Sequence, residues 1–242
     1  MKKGTSILAG LLLAVSFSLA GCQAGTEPEV NADGSEPAST TGTEPGASQT
    51  GNETEINLTE QTAGKLSITA TGVPVEVRLA DDGQYSYEYD ENEYAVTTAA
   101  DGSDFEIKIT DIRPETDNGT NVVIYIPNQS NTHITGIFEG SSFVLPAINA
   151  NITVTSNASS GMLSLPSDYN HTFNYTGDAS SCSLSMGGIQ DFAVSAEIST
   201  SAVQVPDGWP AYDMLGSSYS YTSGSGTAKL NLDITSSSFV FE

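Results

Sequence analysis

Positive charge is what this sequence has least of: 7 Lys and Arg stand against 30 Asp and Glu, a formal charge of −23. Two of the cations, Lys2 and Lys3, sit at the start, leaving Lys65, Arg78, Lys108, Arg113 and Lys229 scattered over the rest. Nucleic acid and anionic lipid headgroups are therefore excluded as partners, because both are held by clustered Lys and Arg. Histidine occurs twice, at His133 and His171, on polar strand edges, and cysteine twice, at Cys22 and Cys182. No phosphate loop, His-Glu-x-x-His pair or Gly-x-Ser-x-Gly elbow occurs. With so many serines, a Ser-His-Asp combination carries no weight without geometry. No stretch of ten or more residues has the apolar spacing of a helix.

Long apolar runs are also missing, with one short exception. Ile7 to Ala20 is mostly apolar, follows the basic Lys2-Lys3 start and ends in small residues, the pattern of an export signal. A membrane span needs about 20 apolar residues and this run has about 14. The run closes on Leu19-Ala20-Gly21-Cys22, which resembles the lipobox of bacterial lipoproteins. The resemblance implies cleavage between Gly21 and Cys22, lipidation of the Cys22 thiol and anchoring to the extracytoplasmic face of the cell membrane. One acyl chain holds a protein only marginally, so the two or three chains usual for such proteins are implied. Cys182 is then the sole remaining thiol and no internal disulfide forms. In Cys182-Ser183-Leu184-Ser185-Met186 the thiol shares strand parity with Leu184 and Met186, which places it on a buried face.

Three zones follow from composition: a signal peptide over 1–21, an acidic tether over 22–62 and a folded domain over 63–242. Residues 23–62 hold eight acidic residues, no basic ones and almost no large apolar side chains. Such a segment is expected to stay disordered, spanning roughly 35 Å as a coil. From Ala63 onward, apolar residues alternate at period two almost without pause, as in Val73–Leu79, Phe105–Ile109, Val122–Ile126, Ile152–Val154 and Leu230–Ile234. Such alternation predicts an all-β domain of strands with one buried face. Turn formers such as Asp81-Asp82-Gly83 and Gly187-Gly188 separate the strands about every ten residues, a spacing that fits a β-sandwich or a β-solenoid. A loose repeat of about 18 to 21 residues from Ile134 favours the solenoid-like ladder, with Ser, Thr and Asn facing outward.

The strand Val122-Val123-Ile124-Tyr125-Ile126-Pro127, the following Ile134-Thr135-Gly136-Ile137, and the finish from Gly224 to Phe241 resemble the bacterial putative adhesin domain of unknown function. The resemblance covers about residues 66–242 and implies a ladder of short strands on an envelope protein, with no catalytic residues. The chain differs from that family in having few turn glycines, lacking for instance the one expected near Ser236 to Ser238.

The expected role is a lipid-anchored, non-catalytic binding or adhesion module whose partners are envelope polymers or host-surface molecules. The alternatives are a structural envelope protein without a specific ligand and a polysaccharide-active solenoid enzyme, which would need paired carboxylates in a groove. Trp209 and Tyr212, in the proline-stiffened loop Pro206-Asp207-Gly208-Trp209-Pro210-Ala211-Tyr212, are candidate ligand contacts or plugs of a core end. No cofactor is expected. Calcium is the one ion the acidic turns Asp81-Asp82, Asp90-Glu91-Asn92-Glu93 and Asp101 with Asp104 would take, although none has the spacing of a calcium loop.

Overall fold

The computed structural model describes residues 52–55, 64–102, 104–114, 119–127, 131–212 and 217–242, with 52–55 and Asn131 as backbone only. These residues lie in one compact unit, Ser48–Glu242. The signal segment, Gly21, Cys22 and, apart from Asn52–Glu55, the stretch read as tether lie outside the described residues.

The described residues are all-β, as the alternation from Ala63 onward predicts. The strands are β1 (Asn52–Glu55), β2 (Gly64–Thr71), β3 (Pro74–Ala80), β4 (Ser86–Tyr89), β5 (Tyr94–Asp101), β6 (Asp104–Asp111), β7 (Val122–Pro127), β8 (Asn131–Glu139) and β9 (Ser142–Leu145). They continue as β10 (Asn151–Asn157), β11 (Ser160–Ser164), β12 (Thr172–Asp178), β13 (Ser181–Ser185), β14 (Phe192–Ser199), β15 (Ala202–Gln204), β16 (Ser218–Ser223), β17 (Ala228–Thr235) and β18 (Ser238–Phe241). They form two nine-stranded sheets. Sheet I runs β1-β4-β7-β3-β9-β11-β13-β18-β15, and sheet II runs β16-β14-β17-β12-β10-β8-β2-β6-β5.

Consecutive strands pair off across the two sheets: β2 with β3, β6 with β7, β8 with β9, β10 with β11, β12 with β13, β14 with β15 and β17 with β18. Each pair is one turn of a ladder, and turns stack by parallel pairing, for instance Ile152 beside Phe173 in sheet II and Leu163 beside Leu184 in sheet I. A turn of two short strands cannot bury both faces alone, so stacking supplies the core. Antiparallel strands finish the ends: β4 on β7, β5 on β6 and β16 on β14. The order in space departs from the order in sequence at both ends. The turn β17–β18 sits between β12–β13 and β14–β15, and β2–β3 sits between β6–β7 and β8–β9.

Parity decides the core. Leu66, Ile134, Ile152, Phe173, Leu230 and Val194 lie in register across sheet II and are all buried. Side chains of this size contribute about 1.5–3 kcal/mol each when fully buried. Large and small residues complement one another. The Phe138 and Phe143 rings stack at 4.0 Å, and the Phe143 ring covers Gly161, where a Cβ would collide with it.

The corner from sheet II to sheet I repeats two features. Gly72, Gly140, Ala158, Ala179, Thr200 and Ser236 each adopt a positive φ, between 48° and 71°. The amide of each of these except Thr200 bonds to the next turn, as in Ala158 N to Asp178 O at 2.9 Å and Ser236 N to Ser199 O at 2.9 Å. Four of the six are not glycine, Ser236 among them. A β-branched residue pays most for this conformation, about 1–2 kcal/mol, against which glycine's greater freedom in the unfolded chain must be set. Thr200→Gly is accordingly expected to stabilise the fold by about 0.5–1 kcal/mol and to raise Tm by about 2 °C, read by calorimetry. A lower Tm would show that the exposed contact from Thr200 Oγ1 to Ser236 Oγ, 3.2 Å, outweighs the backbone strain.

Directly after each of the last five corner residues comes a serine, and these serines bond to one another through the interior. The amides of Val73, Ser141, Ser159, Ser180 and Ser237 donate in turn to the hydroxyls of Ser141, Ser159, Ser180, Ser237 and Ser201, at 2.9 to 3.2 Å. Each hydroxyl also reaches the carbonyl two residues before it, as in Ser180 Oγ to Asp178 O at 2.8 Å. Ser141, Ser159, Ser180 and Ser237 are buried. The spine satisfies amides that the sharp corner turns away from the sheet ladders.

Candidate binding surfaces

The loop carrying Trp209 follows β15. Trp209 N bonds to Pro206 O at 3.3 Å, as Tyr169 N bonds to Pro166 O and Ile189 N to Met186 O, both at 3.0 Å. Trp209 thus holds, on the end turn of the ladder, the place that Tyr169 and Ile189 hold in the buried core. Its indole is partly buried against Phe192 and Tyr221, both at 4.9 Å between ring centroids, and Phe241 at 5.2 Å. Tyr212 packs elsewhere, edge-on to Tyr219 at 6.4 Å, and Tyr219 Oη donates to Pro210 O at 3.1 Å. The two candidate contacts therefore cover the end of the core with one edge each toward solvent.

Cys182 is buried on the same strand face as Leu184 and Met186, with 3% of its surface accessible. Burial pushes its thiol up to about 12. The thiolate is the reactive form. We expect slow reaction with a thiol reagent in the native protein and rapid reaction in denaturant. Fast labelling under native conditions would remove the buried assignment.

The acidic turns use their carboxylates within the fold. Asp82 Oδ1 accepts Gln84 N at 2.9 Å, and Asp90 Oδ1 accepts Asn92 N at 2.8 Å. Glu93 Oε2 accepts Thr120 N and Oγ1, each at 2.8 Å, and Asp104 Oδ1 accepts Lys65 N at 3.0 Å. Among the described residues, no three His, Cys, Asp or Glu side chains gather around one point that would hold a metal ion. His133 lies in sheet II, 3.4 Å from Thr153 Oγ1, whereas His171 lies beside Tyr169 at 5.9 Å.

Two carboxyls are set apart. Hydrogen bonds from Arg113 bring Asp111 down to about 2. Asp191 is held well below the usual carboxylate range by Thr227 Oγ1 at 2.6 Å and Ser225 Oγ at 2.7 Å. It borders a shallow hollow of about 270 Å³ with Asp168, Tyr169, Gln190 and Thr227. The bonds that hold its oxygens link β14 to the turn before β17.

The broad outer faces of the sheets differ. Sheet I presents Val144, Met162, Ser183 and Val240 in register, with Met162 58% exposed. Sheet II presents neutral polar side chains: Ser67, Thr135, Thr153, Asn174, Asn231 and Ser195 stand side by side across six strands. Asn231 Nδ2 donates to Asn174 Oδ1 at 2.9 Å, and Asn174 Nδ2 points to Thr153 Oγ1 at 3.5 Å. Charge flanks the row: Glu106 of β6 lies beside Ser67 at its end, Asp233 and Glu197 are neighbours in register one row to one side, and Lys65 and Lys229 lie one row to the other. The outward Ser, Thr and Asn were legible from alternation, but their alignment into this row was not, because it needs the register between turns.

No family model matches the chain, and no curated protein matches it. Among solved structures, the chain is similar to a putative cell adhesion protein from Clostridium sporogenes ATCC 15579, at 15% identity and a TM-score of 0.50, covering 78% of this chain and 97% of that one. A putative adhesin from Bacteroides fragilis NCTC 9343 aligns at 8% identity and a TM-score of 0.32, covering 81% of this chain and 98% of that one. The first of these shares the fold: an all-β ladder of the kind built here from two-strand turns.

Proposed function

We propose that this chain is a lipid-anchored surface protein that acts by binding, as an adhesion-like module, and not by catalysis. In this reading residues 1–21 direct export, Cys22 carries the lipid, residues 22–62 link it to the domain and hold the domain off the membrane by the part ahead of β1, and residues 63–242 make contact with envelope polymers or host-surface molecules. The observation that carries it is the stack of turns, which presents two broad, regular strand faces suited to extended partners over which weak contacts add. The lipobox at Leu19–Cys22 supports the location. The likeness in fold to a putative cell adhesion protein supports the class.

The purified protein is expected to bind cells, cell-wall polymers or matrix proteins saturably, with and without calcium, and to turn over no glycan, peptide or ester. Weakening by Trp209→Ala would assign part of the contact to the loop at the ladder end. Absence of saturable binding would leave a purely structural envelope role. Hydrolysis lost on changing one carboxylate would replace this reading with an enzyme.

A further inference from the structure

We infer that the outer face of sheet II binds an uncharged, extended polysaccharide, laid across the strands along the row Ser67, Thr135, Thr153, Asn174, Asn231 and Ser195. The inference rests on the proposed binding function and names its ligand class and its surface.

Three observations carry it. The first is charge. A chain of −23 repels polyanions from a distance, so nucleic acid and anionic glycans or phosphate polymers are poor occupants. Within this protein the row is six consecutive positions without a charged side chain, bounded at the Ser67 end by Glu106 of β6. A neutral polymer meets no repulsion there and requires no carboxylate to be desolvated.

The second is chemistry. Every member of the row is a hydroxyl or an amide, each both donor and acceptor, as sugar hydroxyls are. The bond from Asn231 to Asn174 at 2.9 Å fixes both amides in the face, and each keeps an N–H and an oxygen lone pair for a ligand. Ordering before contact lowers the cost of binding. One row away the neighbouring Asp233 and Glu197 carboxylates are exposed and accept hydrogen bonds from hydroxyls reaching over the edge.

The third is spacing. Members of the row are about 4.8 Å apart, the separation of paired strands, which is close to the advance per sugar along a β-1,4-linked pyranose chain. Successive sugars therefore meet successive turns in similar positions. The row carries no aromatic ring, so affinity comes from repeated hydrogen bonds, each modest in net terms. It must accordingly grow with chain length, as in any multivalent contact.

The test is titration calorimetry of the full chain with β-1,4-linked oligosaccharides of glucose and of N-acetylglucosamine, two and six sugars long. At least one hexasaccharide is expected to bind ten or more times more tightly than its disaccharide. The variant Asn174→Ala/Asn231→Ala, altered only on an outer face, is expected to unfold at the parent's urea midpoint yet bind at least tenfold more weakly. Ser183→Ala, on the opposite sheet, is expected to bind as the parent does. The inference is overturned by affinity independent of length, by undiminished binding of the double variant, or by loss of binding in Trp209→Ala alone. If parent and double variant adhere equally to cells while no oligosaccharide binds, this inference fails and the binding function stands. If the parent adheres to nothing, both fail.

Discussion

Ser180→Ala is expected to cost about 1–3 kcal/mol, a large share of the stability of a domain this size. The Ser180 hydroxyl accepts the Ser159 amide at 3.2 Å and the Ser156 hydroxyl at 3.1 Å, in an interior where water does not replace it. Alanine removes the acceptor and leaves the Ser159 N–H buried without a partner, and the penalty is that of the orphaned donor more than of the lost bond. Ser180 also stands in the middle of the stack, between the turns β10–β11 and β17–β18. In a ladder held by nearest-neighbour contacts, damage there weakens the coupling of the two halves. Ser201, at the end of the spine and only partly buried, accepts one such amide, from Ser237 at 2.9 Å, and Ser201→Ala is expected to cost less. Urea midpoints of the two variants decide the matter, and equal midpoints would mean that the spine is incidental to stability.

The second large effect concerns location. Cys22→Ala is expected to abolish lipidation and to leave either unprocessed precursor or a mis-sorted soluble protein, because the thiol is the acyl acceptor. Among the described residues no helix is long and apolar enough to cross a membrane, and an acidic surface is repelled by anionic headgroups. Anchoring by acyl chains gains about 0.8 kcal/mol per buried methylene, so its loss moves a processed, mis-sorted form almost wholly out of the detergent phase, whereas unprocessed precursor is told apart by its retained apolar run Ile7 to Ala20. Processing and detergent partitioning of the variant like those of the parent would refute the proposed anchor.

These two variants also separate what is written locally from what is not. Alternation alone placed Cys182 with Leu184 and Met186, and the fold buries all three. The loose repeat from Ile134 corresponds to the successive turns β8–β9, β10–β11 and β12–β13. The corner serines do carry a local pattern: Gly140-Ser141, Ala158-Ser159, Ala179-Ser180, Thr200-Ser201 and Ser236-Ser237, each a corner residue then serine after a sheet II strand. A search for glycine misses it, because four of the five corners take positive φ without glycine.

By itself the sequence determined that the domain is all-β, which side of each strand is buried, and that the turns repeat. Side-chain parity and turn chemistry act over a few residues and are the same wherever a strand is placed. Only the tertiary structure decided which turn lies beside which. The turn β17–β18 pairs with β12–β13 across an intervening turn, and Ser180 meets Ser237 57 positions away. Every turn offers a similar apolar face and similar amides, so local pattern does not rank the possible neighbours. That choice rests on the fit of particular side chains: Tyr175 against Phe239 at 5.0 Å, the Phe143 ring over Gly161, and Trp209 closing the end on Phe192. The same stacking drew Ser67, Thr135, Thr153, Asn174, Asn231 and Ser195 into one row, because register between turns is a long-range property of the packed core.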